Sequence, residues 1–407
     1  MIPEIPTKIY KRDIIQHILP YLEDKVAIIL LGSRQVGKTY ILYWLYNRLL
    51  SEKSQVYYLD LEESRYAALL NNGPLELNNL LSEAGLNLKQ KTFVFIDEIQ
   101  YLKRPSNFLK LAVDHFPHLK IIASGSSAFE IKQKTEKALV GRSLTFEVFG
   151  LSFKEFLRFK EYETLNAPVL TDIKRDELKN LFTEFALYGS YPHIVLLKEK
   201  EKKEKYLWQI IDTYLKKDIK DLAHVQEMEK FNKLLEVLAS QSGQLVNVNE
   251  LSRTCALSEQ TVKHYLFILE NTYVIKLVRP FFKNTQSELF KTPKIYFYDS
   301  GVAHLLWLKA IPPSITGGVF ETAVFSEMIK LFGKEAVNFW RTKDKKEIDF
   351  IVREKNNLLP VEVKLNFAKF KPSAIHYFCK RYHLDAYKVV SIEGTPIEKF
   401  GAYPWEL

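Results

Sequence analysis

The stretch Lys25-Val-Ala-Ile-Ile-Leu-Leu31 runs directly into Gly32-Ser-Arg-Gln-Val-Gly-Lys-Thr39, and this junction decides the fold of the first part of the chain. The residues before Gly32 are almost all apolar, which predicts a strand buried on both faces. The next eight fit the pattern G-x-x-x-x-G-K-[ST], and residues 40–50 then have the pattern of a helix. Glycines in such a turn let backbone N–H groups surround phosphate oxygens, and the helix N-terminus adds positive charge. The junction therefore predicts a phosphate-binding loop.

The residue types within this loop have separate expected tasks. Lys38 is expected to reach the β- and γ-phosphates of a nucleotide, and the Thr39 hydroxyl is expected to be a ligand of Mg²⁺. The residues expected to contact the nucleotide are Gly32, Ser33, Arg34, Gln35, Val36, Gly37, Lys38, Thr39 and Tyr40.

Four further apolar segments alternate with helical patterns through residue 150. The predicted strands span residues 55–60, 91–96, 118–123 and 144–149, and the predicted helices span 77–84 and 107–115. Continuous apolar strands separated by helices predict a parallel sheet that is covered on both faces.

An acidic pair, Asp97-Glu98, follows the third predicted strand. In such sheets the carboxyl end of a buried strand lies beside the phosphate loop. Asp97 is expected to hold Mg²⁺, and Glu98 is expected to orient and polarise the attacking water. The pair therefore predicts hydrolysis as well as binding.

Two further candidates are less specific. Ser126, or Ser124 in its place, follows the fourth strand and is expected to touch the γ-phosphate or the water; an ordinary turn is the alternative. Arg142 is a candidate arginine finger acting on a neighbouring subunit, which implies a homo-oligomer. A surface arginine fits that position equally well, and Arg34 is an alternative finger.

These motifs resemble those of prokaryotic AAA-type ATPases, the P-loop group with an additional strand and a catalytic glutamate. The quoted landmarks are Leu30 to Thr39, Phe95-Ile-Asp-Glu-Ile-Gln100, Ala123-Ser-Gly-Ser-Ser127, Gly141-Arg142, Gly150-Leu-Ser-Phe-Lys-Glu-Phe156, Tyr188-Gly-Ser-Tyr-Pro192 and Tyr214-Leu-Lys-Lys-Asp-Ile219. The resemblance extends to bacterial and archaeal proteins that join such a domain to a C-terminal domain of unknown function. It implies ATP and Mg²⁺ as cofactors and ATP hydrolysis as the activity. Lys217 departs from the pattern, in which arginine is usual, so no arginine role is carried over there.

Residues 226–285 have the pattern of a small separate module. Predicted helices at 231–240, 249–254 and 259–270 precede a predicted strand at 274–279, which is the order of a winged helix.

The third helix of this module would present Gln260, Lys263 and His264 outward, which favours contact with DNA. Because that face has one lysine and no arginine cluster, packing beside an ATPase core is the alternative.

The C-terminal segment carries a second group of candidate catalytic residues. Residues 347–352 and 358–364 predict an antiparallel hairpin. A connecting loop of even length places Asp349 directly opposite Glu362, on the same face as Lys364. An aspartate and Glu-x-Lys on one face is the arrangement of PD-(D/E)xK nucleases.

Glu321, which is expected to open the preceding helix, would add a third carboxylate to this face. Asp349, Glu362 and Glu321 are expected to bind Mg²⁺, and Lys364 is expected to position water and stabilise negative charge. The alternative is a nuclease-like fold whose cluster is structural or binds DNA.

The composition of the whole chain narrows the functional classes. The 407 residues include 58 Lys and Arg against 49 Asp and Glu, a net charge of +9, and 47% of them are hydrophobic. This composition excludes disordered and collagenous proteins and weakly favours a polyanionic partner such as DNA. Two cysteines exclude a disulfide framework and favour the cytoplasm. The apolar runs stay shorter than the roughly 18 residues of a membrane span, so no membrane association is expected.

We therefore predict an α/β protein in four parts. These are an AAA-type P-loop ATPase domain at 1–150, a helical lid-like segment at 151–225, a winged helix at 226–285 and a restriction-endonuclease-like domain at 286–407. The predicted function is that of a Mg²⁺-dependent ATPase acting on DNA, in which ATP gates a metal-dependent nuclease-like domain. The alternative is a nucleotide-dependent switch whose C-terminal domain is catalytically inactive and serves in binding. A small-molecule kinase is a third interpretation, which Glu98 disfavours.

Overall fold

The computed structural model describes residues 5–125, 139–162, 171–219, 225–282, 292–342, 344–354 and 357–407. It divides into two compact units, Met1–Gly150 and Leu151–Leu407. The further borders at residues 225 and 285 stay predictions.

The first unit is built on a five-stranded parallel sheet, as predicted. Its strands are β1 (Ala27–Leu31), β2 (Gln55–Asp60), β3 (Thr92–Asp97), β4 (Leu119–Gly125) and β5 (Ser143–Glu147). The strand order is β2-β3-β4-β1-β5, and each neighbouring pair is parallel. Every residue of β1, β3 and β4 is buried, because helices cover both faces of the central strands. Strand β4 lies between β1 and β3 and is the additional strand that the resemblance implies.

Five α-helices are described in this unit, beside two short 3-10 helices, Leu19–Tyr21 and Ile99–Tyr101. The α-helices are α1 (Ile14–Ile18), α2 (Lys38–Ser51), α3 (Ser64–Leu70), α4 (Pro74–Glu83) and α5 (Pro105–His115). The sequence predicted α2, α4 and α5 but missed α1 and α3, which are five and seven residues long. Such short helices contain too few turns to show a helical period.

The second unit begins with helices. Its described α-helices are α6 (Phe153–Phe159), α7 (Asp172–Tyr188), α8 (Pro192–Leu196), α9 (Lys200–Ile210), α10 (Met228–Ser240), α11 (Val248–Cys255), α12 (Glu259–Asn271), α13 (Ser300–Leu308), α14 (Gly317–Phe332) and α15 (Ser373–Tyr382). A π-helix, Ile211–Asp218, continues α9, within the segment 151–225 that the sequence predicted only as helical.

Two sheets lie in the second unit. Strands β6 (Ile275–Val278) and β7 (Lys294–Phe297) form an antiparallel pair. Strands β8 (Val337–Arg341), β9 (Glu347–Glu354), β10 (Asn357–Val363), β11 (Lys388–Val390) and β12 (Gly401–Ala402) form a sheet in the order β12-β11-β10-β9-β8. Strand β7 lies within residues 286–407, which are predicted as the C-terminal domain, but it pairs with β6, the strand that follows α12.

The Tyr188-to-Pro192 motif has a structural role in this unit. The buried carboxylate of Asp299 accepts hydrogen bonds from the backbone N–H (2.7 Å) and the hydroxyl (2.9 Å) of Ser190. Its other oxygen accepts the N–H of Val302 at 3.0 Å and so caps α13. The motif therefore fixes the end of α7 against the start of α13.

None of the described helices combines the length and the hydropathy that a membrane span requires.

Candidate active site

The phosphate loop connects the end of β1 at Leu31 to the start of α2 at Lys38. Gly37 has φ = 93°, a left-handed conformation that glycine adopts without a steric penalty. Gly32 is needed for a different reason, since a Cβ atom there would lie 2.1 Å from the carbonyl oxygen of Val148. The two glycines of the motif therefore meet one conformational and one packing requirement.

Lys38 is buried within the loop that it is expected to serve. Its Nζ donates to the carbonyl oxygens of Gly32 (3.1 Å) and Ser33 (2.7 Å). Burial lowers the pKa of Lys38 to about 8, although the charges of Glu98 and Asp97 oppose that shift. Both hydrogen bonds go to neutral acceptors, so a phosphate group at this position would compensate the burial of the charge. The loop thus fits the triphosphate of ATP.

Asp97, the last residue of β3, is held through both of its carboxylate oxygens. Oδ2 accepts the hydroxyl of Tyr58 at 2.8 Å. Oδ1 accepts the hydroxyl of Ser124 and the N–H of Glu98, the latter at 3.2 Å. Burial, with the charge of Asp97, raises the pKa of Tyr58 above its usual range, so the phenol stays protonated and can donate.

Glu98 lies directly beyond this carboxylate in a strained conformation. Its φ is 55°, in the left-handed region that costs a non-glycine residue on the order of 1–3 kcal/mol and that clusters at functional sites. Its side chain accepts a hydrogen bond from the amide of Gln100. Lys38, Asp97 and Glu98 thus lie at the carboxyl edge of the sheet, with side chains close enough for their charges to act on Lys38.

The two serine candidates differ in what the structure shows. Ser124, the last residue but one of β4, touches Asp97 as described above, and its Oγ also accepts the N–H of Glu98 at 3.2 Å. Ser126 lies outside the described residues, so its predicted contact stays a prediction.

Arg142 lies far from the phosphate loop of its own chain. It precedes β5, its carbonyl accepts the N–H of Ala27 at the amino end of β1, and the loop begins at the opposite, carboxyl end of that strand. Its guanidinium pairs with Asp114 at 2.6 Å. Its role on a neighbouring subunit stays a prediction.

Sequence reasoning missed two residues near Asp97. Tyr58 lies on β2, and no local motif identifies it. Asp60 ends β2 in register with Asp97, and burial together with the charge of Asp97 raises its pKa. The sequence could have identified Asp60, because it follows an apolar run in the same way as Asp97 does. The acidic edge of the sheet therefore extends over two strands.

The C-terminal hairpin has the predicted register. Val361 pairs with Phe350, so the next pair along the two strands is Glu362 with Asp349. Asp349 Oδ2 accepts the N–H of Val363 at 2.8 Å. The Nζ of Lys364 lies 3.2 Å from Asp349 Oδ2 and 2.8 Å from Glu362 Oε1. The three predicted residues are therefore brought together, with the lysine between the two acids.

Burial dominates the electrostatics of this cluster. It raises the pKa of Glu362 to about 7, and repulsion from Asp349 acts in the same direction. The cluster therefore has unfavourable negative charge that Lys364 offsets in part.

Glu321 lies later in its helix than predicted, and its carboxylate is desolvated. It is the fifth residue of α14, which begins at Gly317, because the apolar pattern starts before it. Its Oε1 accepts the hydroxyl of Tyr296 at 2.5 Å, and burial raises its pKa to about 7.

Within the described part of the chain, no three His, Cys, Asp or Glu side chains are grouped so that they could hold a metal ion. Burial raises the pKa of Glu321 and the charge of Asp349 adds to that effect, so these two carboxylates interact. Lys364 occupies the space between two of the acids, and Tyr296 engages the third. The metal-binding roles of Glu321, Asp349 and Glu362 stay predictions.

The middle module has the predicted helix faces. Ser258 caps α12 by accepting the N–H of Thr261 at 3.0 Å. The inward side chains are Val262, Leu266 and Leu269, which are buried, and the outward ones are Gln260, Lys263 and His264, which are exposed. A cleft of about 470 Å³ opens beside the start of α12, lined in part by Gln260 and His264.

Comparison with protein families gives three matches. Residues 24–157 match an AAA domain, residues 179–313 match a domain of unknown function (DUF8612), and residues 316–404 match another domain of unknown function (DUF4143).

Similar proteins occur in archaea and bacteria. An uncharacterized protein of Methanocaldococcus jannaschii is 27% identical over 367 residues, which cover 88% of this chain and 78% of that protein. An uncharacterized protein of Haemophilus influenzae is 25% identical over 402 residues, which cover 96% of this chain and 94% of that protein.

Among solved structures, a Walker-type ATPase of Pyrococcus abyssi is 17% identical, with a TM-score of 0.48, and the match covers 73% of this chain and 96% of that one. AMPPCP-bound DnaA of Aquifex aeolicus is 18% identical, with a TM-score of 0.28 and coverages of 63% and 86%. The family matches, the parallel sheet and the phosphate loop together give the conclusion that the chain carries an AAA-type P-loop ATPase domain followed by a C-terminal DUF4143 domain.

Proposed function

We propose that the protein binds ATP with Mg²⁺ at the phosphate loop and hydrolyses it. The observation that carries this proposal is the buried Lys38, held on two loop carbonyls within reach of the charges of Asp97 and Glu98. Lys38 would contact the β- and γ-phosphates, and the N–H groups of the loop would surround them. When bound, Mg²⁺ would neutralise phosphate charge from a position on Thr39 and Asp97.

Glu98 is the proposed residue for water activation. Its left-handed backbone sets the direction in which the side chain leaves the chain. Its N–H donates to Asp97, the residue that would hold the metal. A carboxylate there accepts a hydrogen bond from the attacking water and orients it toward the γ-phosphate.

Two variants separate binding from hydrolysis. Lys38→Ala is expected to lose nucleotide binding, measured by fluorescence of a labelled ATP analogue. Glu98→Gln keeps the shape of the side chain, so binding should persist while phosphate release falls by about 10²-fold or more. Hydrolysis by Glu98→Gln at the wild-type rate would contradict the role of Glu98. Wild-type protein that binds no ATP would refute the function itself.

For the second unit, we propose that ATP controls a part of the protein that binds DNA and does not cut it. The C-terminal cluster argues against cutting because Lys364 already pairs with Asp349 and Glu362. A closed ion pair of this kind leaves the acids without room for a metal unless the lysine moves. The protein is then a nucleotide-dependent switch, placed in the cytoplasm, where ATP and Mg²⁺ are available.

The proposed contact with DNA is made through a winged helix formed by α10, α11, α12 and the β6-β7 pair. In this arrangement α12 is the recognition helix, with Gln260, Lys263 and His264 exposed. Lys263→Glu should weaken binding of duplex DNA in fluorescence anisotropy, whereas Lys233→Glu, an exposed lysine on α10, serves as the matched control. Equal affinity of the two variants for DNA would mean that the module serves only to pack beside the ATPase core.

A metal-dependent nuclease gated by ATP is the second candidate function. One specific observation favours it: Asp349, Glu362 and Lys364 share one face of a hairpin, as the PD-(D/E)xK pattern requires. The test is cleavage of circular and linear DNA with Mg²⁺ or Mn²⁺, with and without ATP. If Asp349→Ala abolishes cleavage and Lys38→Ala alters it, the protein is a gated nuclease and the proposed switch is wrong.

A further inference from the structure

Arg12 is a buried charged residue that belongs to none of the motifs found in the sequence. The residue as a whole is 5% exposed. One guanidinium nitrogen, Nη1, donates to the carbonyl oxygen of Val36 at 2.7 Å, inside the phosphate loop. The other, Nη2, donates to the carbonyl oxygens of Phe149 (2.9 Å) and Gly150 (3.2 Å). A single side chain thus joins the loop to the last two residues of the first unit.

The contact with Val36 bears directly on phosphate binding. The carbonyl of Val36 and the N–H of Gly37 belong to the same peptide group, and in a planar trans peptide they point in opposite directions. Because Arg12 fixes the direction of the carbonyl, it also fixes the direction of the Gly37 N–H. That N–H is one of the loop donors expected to face phosphate.

The segment Val148–Gly150 is tied to the loop at its other end as well. The N–H of Val148 donates to the carbonyl of Leu31 at 2.6 Å, and the carbonyl of Val148 lies where Gly32 leaves no room for a side chain. The segment therefore contacts the beginning of the loop directly and its end through Arg12. A shift of the loop on binding phosphate must be accommodated by this segment.

We propose that Arg12 is a positioning residue for the phosphate loop and that it couples occupancy of the loop to the segment Val148–Gly150, through which the chain leaves the first unit. This inference rests on the proposed binding of ATP. The planar fork of arginine is required, since a lysine keeps the charge but has no two separate nitrogens to span the loop and the segment.

The experiment uses the full chain and compares wild type with Arg12→Lys and Arg12→Gln. Arg65→Gln, at an exposed arginine on α3, is the matched control. Two quantities are measured: KM and kcat for ATP, and hydrogen exchange of the peptide 146–152 with and without the non-hydrolysable analogue AMPPNP and Mg²⁺. Because Arg12→Lys keeps a buried cation, it carries the test if Arg12→Gln fails to fold.

In wild type and in Arg65→Gln, saturating AMPPNP is expected to slow exchange in this peptide. In both Arg12 variants KM for ATP should rise roughly tenfold or more while kcat changes less, and saturating AMPPNP should no longer slow the exchange. A wild-type KM, or exchange that AMPPNP still slows in Arg12→Lys, would overturn the proposal while leaving ATP binding intact. Wild-type protein that fails to bind AMPPNP would overturn the proposed function and this inference together.

Discussion

The hydroxyl of Tyr58 on β2 donates a 2.8 Å hydrogen bond to Oδ2 of Asp97 at the end of β3. Ser124 on β4 donates to the other oxygen of the same carboxylate. Asp97 is therefore oriented by side chains from the strands on both sides of it. A carboxylate fixed in this way is positioned before any metal arrives, which reduces the ordering that binding requires.

Removal of the Tyr58 hydroxyl should loosen Asp97. Tyr58→Phe leaves one buried carboxylate oxygen without its donor, so we expect a loss of about 1 kcal/mol in the free energy of unfolding. We also expect a higher Mg²⁺ concentration for half-maximal ATP hydrolysis, measured by titration at saturating ATP. Tyr57→Phe is the control, because the neighbouring residue on a strand points to the other face. An identical Mg²⁺ dependence in the two variants would contradict the role of Tyr58.

A side chain at residue 32 should disrupt the loop. A Cβ there would lie 2.1 Å from the carbonyl oxygen of Val148, so Gly32→Ala forces backbone to move, and we expect a loss of about 1–3 kcal/mol in stability together with weaker ATP binding. Gly318→Ala is the control, since its Cβ would meet nothing within 4 Å and alanine favours the helix by up to about 1 kcal/mol. Urea unfolding measures the stability of the two variants. Equal stability of the two variants would show that the segment Val148–Gly150 can shift without cost.

Lys364 should stabilise the C-terminal cluster through charge. Lys364→Met leaves two partly buried carboxylates without their shared cation, and we expect the free energy of unfolding at pH 8 to fall by about 1–3 kcal/mol. Adding Glu362→Gln to that variant removes one of the two like charges and should restore a large part of the loss. If Lys364→Met were as stable as wild type in urea, the pairing would contribute nothing to folding.

His304 should make the second unit sensitive to acid. Burial lowers its pKa from 6.5 to about 4, so the folded protein keeps the ring neutral while the unfolded chain takes up a proton below about pH 6.5. The unfolded state therefore binds more protons in this window, and stability falls as the pH falls through it. The loss should approach roughly 2–3 kcal/mol near pH 4.

The comparison variant is His304→Leu, which lacks the titrating ring. Its free energy of unfolding should decline less than that of wild type between pH 6.5 and pH 4.5, measured by urea titration at each pH. His376→Gln, at an exposed histidine, should follow wild type. Parallel declines in all three proteins would mean that His304 does not carry the proton uptake.

The elements that the sequence predicted well are those whose pattern is local. The β1-to-α2 junction, the acidic pair after β3 and the hairpin register of Asp349 and Glu362 all follow from apolar runs, alternation and loop length. The elements that it missed, such as α1, are too short to show a period. The π-helix after α9 was also missed, because a change in backbone hydrogen bonding leaves the spacing of apolar residues nearly unchanged.

By itself, the sequence determined the phosphate loop, the acidic pair and the hairpin, because each depends on residues close together in the chain. Tertiary structure decided which distant side chains meet them: Tyr58 reaches Asp97, Arg12 reaches Val36, and Arg142 lies at the opposite edge of the sheet. The physical reason is that these pairings depend on strand order and on the path of the chain between strands. A linear pattern carries residue type and spacing, whereas a hydrogen bond between remote segments requires their positions in space.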